Sequence, residues 1–227
     1  MPFQDLAERV AEVRGKLDAA QRRGGSTQPV TLIAVTKTHG ADAVDAAWRA
    51  GVHDVGENRV QEAIAKMADA DVPVRWHLIG HLQRNKVRSV DRFAMVQSVD
   101  SARLADALHE IGLARHLPVD VLLEVNTSGE ASKDGWSPAD LRIEADRLLA
   151  RPGVRVRGVM TMAPLGATEA VLRSTFRGAR AARDVLRAAG HPADELSMGM
   201  SNDYEIAVEE GSTMVRLGTV LFGSRPS

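Results

Sequence analysis

The chain has 227 residues, 44% of them hydrophobic and 26% charged, with 29 Lys and Arg against 30 Asp and Glu. These values belong to a globular chain long enough to bury a real core, and they exclude disordered and fibrous classes. With charges this evenly balanced, no global field draws the protein toward nucleic acid or an anionic membrane, so any partner must be recognised locally.

Cysteine is absent, which excludes disulfides, thiolate metal sites and thiol nucleophiles and fits a reducing compartment. The amino terminus, "MPFQDLAERVAEVRGKL", carries charges throughout and has no apolar signal-peptide core. Nowhere does an apolar run approach the roughly 20 residues of a spanning helix. A cytoplasmic protein without a membrane partner is the expectation. Asn126-Thr127-Ser128 matches a glycosylation sequon, but without a secretion signal it reads as incidental.

Taken in chain order, Phe3, Leu6, Val10, Val13 and Leu17 recur at helical spacing and predict an amphipathic helix over residues 3–22. "RRGGSTQP" then ends it, because paired glycines and a proline break helices. From residue 30, short apolar runs follow: "VTLIAVT" (30–36), "VHDVGE" (52–57), "RWHLIG" (75–80) and "FAMVQSV" (93–99). "VDVLLEV" (119–125), "VRVRGVMTM" (154–162), "ELSMGM" (195–200) and "MVRLGTVLFG" (214–223) complete eight candidate strands. Between them, segments such as "ADAVDAAWRAG" and "VLRSTFRGARAARDVLRAAG" carry helical periodicity. Alternating strand and helix argue for parallel βαβ units. Eight of them argue for an α/β fold of the (β/α)₈ TIM-type barrel kind, a single domain over 1–227 with an extra N-terminal helix. A doubly wound open sheet is the alternative if one or two strands are misread, those near 55 and 197 being the weakest.

Active sites of such barrels collect at the carboxyl ends of the strands. At the first of these ends stands Lys37, which reads either as an exposed terminal lysine or as an amine in a partly desolvated mouth. There it would lose proton affinity and could form a Schiff base with the carbonyl of a sugar or a cofactor. Barrel phosphate sites are commonly built from the loops after strands seven and eight. Here those loops offer Gly199 and Gly218 for close backbone approach, Ser201 and Thr219 as hydroxyl donors, and the amides of a short helix opening near Asn202. Arg216 shares a strand face with Gly218 by period-2 alternation and needs an acceptor, either a ligand or a carboxylate such as Glu124 or Asp203. Opposite a pyridine nitrogen, an obligate cation would keep that nitrogen unprotonated.

Other candidates carry less. His77 and His81 are not spaced on one helical face, so no metal site is expected. Glu209 and Glu210 read as a solvated helix end. The basic stretch "QRNKVRS" (83–89) lacks aromatic interleaving and reads as the exposed start of a helix, not as a nucleic-acid patch. Met67, Met95 and Met214 read as core, and Trp48 as a helix residue packing on the sheet.

Seven blocks, "LIAVTKT", "GENRVQEA", "WHLIGHLQRNK", "VQSVDS", "LLEVNTSGEASKDG", "VRGVMTMAP" and "LSMGMSNDYEIAVEEGSTMVRLGTVLFG", appear in this order. With them the sequence resembles, nearly end to end, the pyridoxal 5′-phosphate homeostasis protein family, also called proline synthase co-transcribed or PLP-binding proteins. The resemblance implies a fold-type III barrel like the amino-terminal domain of alanine racemase and a vitamin B6 cofactor, pyridoxal phosphate, held by Lys37 as a Schiff base. It implies that Arg216 faces the pyridine nitrogen, that Ser201, Gly218, Thr219 and the Met200 backbone hold the phosphate, and that Asn58, Ile79 and Gly80 line the ring.

Racemisation on such a cofactor needs a second acid or base on the opposite ring face, which alanine racemases take from a tyrosine of an additional β domain. The sequence runs only just past its eighth strand, and its sole tyrosine, Tyr204, follows the phosphate loop in a helical pattern. These residues argue for binding pyridoxal phosphate without efficient turnover, and the resemblance implies a monomer that supplies the cofactor to PLP-dependent apoenzymes. The alternatives are a slow racemase or lyase of the same cofactor class, or a Schiff-base aldolase acting on a sugar phosphate.

Overall fold

A computed structural model describes residues 3–127 and 135–223. Eight parallel strands close into a barrel in sequential order. They are β1 (Thr31–Val35), β2 (Asp54–Glu57), β3 (Arg75–Leu78), β4 (Met95–Val99), β5 (Val119–Glu124), β6 (Val154–Met160), β7 (Glu195–Ser197) and β8 (Met214–Leu217). Closure is made by β1 pairing with β8, Ile33 lying opposite Arg216. The closed form of the α/β expectation therefore holds, and the open sheet does not.

The helices α1 (Leu6–Gly24), α2 (Ala41–Arg49), α3 (Val60–Asp69), α4 (Ala102–Ala114), α5 (Pro138–Leu149), α6 (Glu169–Ala189), α7 (Tyr204–Glu209) and α8 (Thr219–Phe222) surround the sheet. Among the described residues no helix is long and apolar enough to cross a membrane. Apolar side chains fill two places. One is the layer between strands and helices, where Val55, Val96, Leu123, Phe176 and Leu186 are buried. The other is the barrel interior, filled by Ile33, Met95, Leu122, Met160 and Met214. The extra helix α1 lays Leu6, Val10, Val13 and Leu17 into a shared apolar cluster with Val208, Leu221 and Phe222, which joins it to α7 and α8.

Several boundaries move. The helix predicted over 3–22 runs from Leu6 to Gly24, and Gly25, at φ 67°, supplies the left-handed cap. Phe3 lies outside it and packs edge-on against Phe222, with ring centroids 5.4 Å apart. The eighth strand stops at Leu217, and "TVLF", β-branched and apolar enough to read as strand, forms α8 instead. Residues Arg84–Arg92 form a 3₁₀ run and not an α-helix. That run is basic with no acid in its first turn and buries only Val90, so neither the dipole nor an apolar face favours the α form. Met95 and Met214 are core as expected, while Met67 is partly buried. Trp48 packs partly buried against the core and meets the His53 ring at a tilt of 36°, with centroids 4.3 Å apart.

Glu209 and Glu210 are not a solvated helix end. Glu210 is buried and takes Arg177 at 3.0 Å and Arg173 at 3.1 Å, while Glu209 takes Arg23 and Arg173, both at 2.6 Å. Guanidiniums from α1 and α6 thus converge on the end of α7, which single-sequence periodicity could not reveal.

Candidate functional site

At the carboxyl ends of the strands lies a cavity of about 380 Å³. Lys37, Asn58 and Ile79 line it from the ends of the first three strands, and Met200, Ser201, Arg216, Gly218 and Thr219 from the last two. Eight of the nine residues expected at the site thus share one cavity. Gly80 lines a neighbouring cavity on the far side of Asn58. Its glycine identity has a packing cause, since a Cβ there would stand 2.7 Å from Asn58 Cα and closer still to the Asn58 carbonyl oxygen.

Lys37 sits on a loop held from beneath. Thr38 adopts φ 72°, a left-handed conformation costly for a β-branched residue. Its backbone N–H donates to Glu62 Oε1 at 2.7 Å. Buried Lys66 donates to the Thr36 carbonyl at 2.7 Å, to Glu57 Oε1 at 2.6 Å and to Glu62 Oε1 at 3.0 Å. Thr36 Oγ1 donates to the same Glu57 oxygen at 2.5 Å, while Glu57 Oε2 is buried without a hydrogen-bond partner. Burial pushes the Glu57 carboxyl above its usual range despite Lys66 and Thr36. Burial also works against charged Glu62, but the Thr38 amide and Lys66 outweigh it and hold that carboxyl low. This cluster clamps the residues on either side of Lys37. The sequence offered only "GENRVQEAIAKM" as a hint of it.

Across the mouth, the loops after β7 and β8 meet, the Val220 N–H donating to Ser201 Oγ at 3.3 Å. Asp203 accepts the Met200 N–H at 2.6 Å and so shapes the turn before α7. Burial raises the Asp203 carboxyl, against the pull of that amide and of Arg216. At Gly199, φ 99° together with Tyr204 and Ala207 close by leaves no room for a side chain.

Arg216 is buried, and the acceptors expected for it were a ligand or a carboxylate. Among the described residues no carboxylate bonds it: its Nη1 donates to Ser197 Oγ at 2.6 Å and its Nη2 to the Thr161 carbonyl at 3.0 Å. Burial pulls its pKa down to about 10, partly offset by the charges of Asp203 and Glu124. A guanidinium with neutral partners keeps its charge available to a ligand.

The apolar wall went unread in the sequence. Met162 to Ala167, after β6, and Leu172 close one side of the cavity, with Leu165 90% exposed at the rim. His77 and His81 are separated as expected. His77 is buried against Asp54 and Gln97, and His81 meets Asp100 at 3.1 Å on the surface. No metal-ligating cluster occurs among the described residues. Tyr204 is buried in the layer beneath α1 and does not line the cavity. Ser128 to Asp134, which include the end of the sequon and most of "SGEASKDG", lie outside the described residues.

Known proteins are similar to this chain in sequence and fold. The alanine racemase N-terminal domain family matches residues 10–226. A pyridoxal phosphate homeostasis protein of Pseudomonas aeruginosa is 44% identical, over 97% of this chain and 96% of its own. PipY of Synechococcus elongatus has been solved without PLP, at 43% identity and TM-score 0.87 over 96% of this chain and 100% of its own. Its structure with PLP bound gives 42% identity and TM-score 0.85 over the same shares, 96% and 100%. With this barrel, this mouth and these relatives over nearly its whole length, the chain belongs to the pyridoxal phosphate homeostasis protein family.

Proposed function

We propose that this chain, acting as one barrel unit, binds pyridoxal 5′-phosphate at the mouth cavity through Lys37 and serves to hold and supply it to apoenzymes, not to turn over substrate. The observation that carries this reading is the meeting, in one cavity, of a lysine amine, a buried guanidinium without a carboxylate contact among the described residues, and paired hydroxyls on two adjoining loops. The relatives' names and the PLP-bound PipY structure support the choice of ligand.

The residues fit the group. Asn58 Oδ1 is buried in the cavity wall with no hydrogen-bond partner, an atom that a polar ligand would satisfy. When bound, pyridoxal phosphate supplies an aldehyde carbon for an amine and a ring that withdraws electrons. Lys37 provides that amine from a clamped loop, which lowers the entropy lost on attachment. Ser201 and Thr219, with the backbone at Met200 and Gly218, receive the phosphate. Arg216, a donor-only cation, would face the ring nitrogen and keep a proton off it, which would leave electron withdrawal weak. Ile79 and the Met162–Ala167 wall exclude water from the ring.

Turnover needs a second proton carrier, and Tyr204 does not reach the cavity. The working unit is a monomer: light scattering of the loaded protein should report a single chain mass, and a stable dimer would contradict it.

The test is optical. Loaded wild type should show a visible absorption band that borohydride bleaches, Lys37→Ala should lack it, and neither should racemise common amino acids beyond the other. A colourless wild type would sink the ligand assignment, and lysine-dependent racemisation would restore the enzyme reading.

A further inference from the structure

The barrel interior carries a line of side-chain hydrogen bonds that the roles above leave unused. It starts at the mouth, where Arg216 Nη1 donates to Ser197 Oγ at 2.6 Å. Ser197 Oγ reaches Gln97 Oε1 at 2.6 Å, and Gln97 Nε2 reaches His77 Nδ1 at 3.0 Å. His77 Nε2 stands 2.9 Å from Asp54 Oδ1. Asp54 then takes both prongs of Arg75, at 2.8 and 2.6 Å. From Asp54 to Arg216 every member is buried, whereas Arg75 is exposed. Asp54 and Arg75 line a separate cavity of about 220 Å³, and both are the first residues of their strands, so the line runs from one end of the barrel to the other.

Its direction is fixed by donor chemistry. A guanidinium only donates, so Ser197 Oγ must accept from it and pass its own hydrogen to Gln97 Oε1. Gln97 therefore turns its amide nitrogen toward His77, whose Nδ1 must be a bare acceptor. The remaining ring proton sits on Nε2 and goes to the Asp54 carboxylate, which Arg75 fixes in turn. Each link has one consistent orientation. Among the described residues the apolar interior formed by Ile33, Met95, Leu122, Met160 and Met214 offers Gln97 one rival partner, Met214 Sδ, 3.8 Å from its Nε2, and Arg216 keeps one further tie, from Nη2 to the Thr161 carbonyl at 3.0 Å.

We propose that Ser197, Gln97 and His77, anchored on Asp54, are positioning residues for Arg216: a one-directional relay through the barrel that locks the guanidinium in the orientation it presents to the ligand. A direct carboxylate partner would quench that charge, and no partner would leave a long side chain free to rotate. A neutral relay avoids both. The ligand's identity rests on the pyridoxal phosphate reading, but the locking does not.

The test uses the full chain labelled with ¹⁵N at histidine and arginine. In ligand-free wild type, NMR should show His77 neutral with its proton on Nε2, and the Arg216 guanidinium nitrogens as separate, slowly rotating signals. In Gln97→Met, and independently in Ser197→Ala should the first fail to fold, the Arg216 signals should average. Affinity for pyridoxal phosphate should weaken about tenfold, the effect of one buried charge-assisted hydrogen bond. A wild-type His77 protonated on Nδ1 overturns the relay, as do Arg216 signals unchanged in a folded variant. If wild type shows both signatures yet takes up no pyridoxal phosphate, the relay stands and the ligand assignment falls.

Discussion

Beneath Lys37, a buried lysine and a buried glutamate hold the loop that presents the amine. Lys66 reaches Glu57 and the Thr36 carbonyl, and Glu57 is fully buried. Removing one member of such a pair strands the other charge away from water, while removing both removes the problem. Lys66→Met is therefore expected to cost about 3–5 kcal/mol, and Lys66→Met with Glu57→Gln clearly less, in urea unfolding. Equal losses would show that the pair is not coupled. Lys37, Arg216, Ser201 and Thr219 were legible because strand ends and glycine-flanked hydroxyls announce themselves locally. Gln97 and Ser197 were not, because each looks like an ordinary strand residue and their bond spans 100 positions of sequence.

At the scale of elements, α7 follows the loop that shapes half of the mouth, and it is braced from outside. Arg173 of α6 bonds Glu209 at 2.6 Å and Glu210 at 3.1 Å, and Arg23 of α1 bonds Glu209 at 2.6 Å. Burial works against both carboxylates, but the arginines more than offset it and hold both below the usual value of 4.5. A depressed folded-state value means that this stability is fully present above about 4.5 and is lost as pH falls through the lowered value. The melting temperature should accordingly drop on acidification below about pH 5, more steeply in wild type than in Arg173→Met. Parallel curves would contradict the bracing. Burial raises Glu57, which acts in the opposite sense, its contribution being lost as pH rises through its raised value. The periodicity that predicted each helix said nothing of this bracing, since it ties together arginines from two helices far apart in sequence. It also overran β8, because "TVLF" satisfies a strand pattern while Gly218 ends the strand and starts a helix.

For the whole molecule, eight short apolar runs separated by helical segments were enough to indicate the barrel, and β1 pairing with β8 decides closure over an open sheet. Closure is what brings residues from positions 37, 58, 79, 201 and 216 to one mouth. It also creates an interior that can carry a polar line from end to end, which an open sheet cannot enclose. The account's central claim is that this mouth holds pyridoxal phosphate covalently on Lys37. The most direct measurement is borohydride trapping of the loaded full chain followed by peptide mass mapping. The account predicts one pyridoxyl adduct, on the peptide containing Lys37, and none at that stoichiometry in Lys37→Ala. An adduct spread over other lysines, or one that persists in Lys37→Ala, would contradict it.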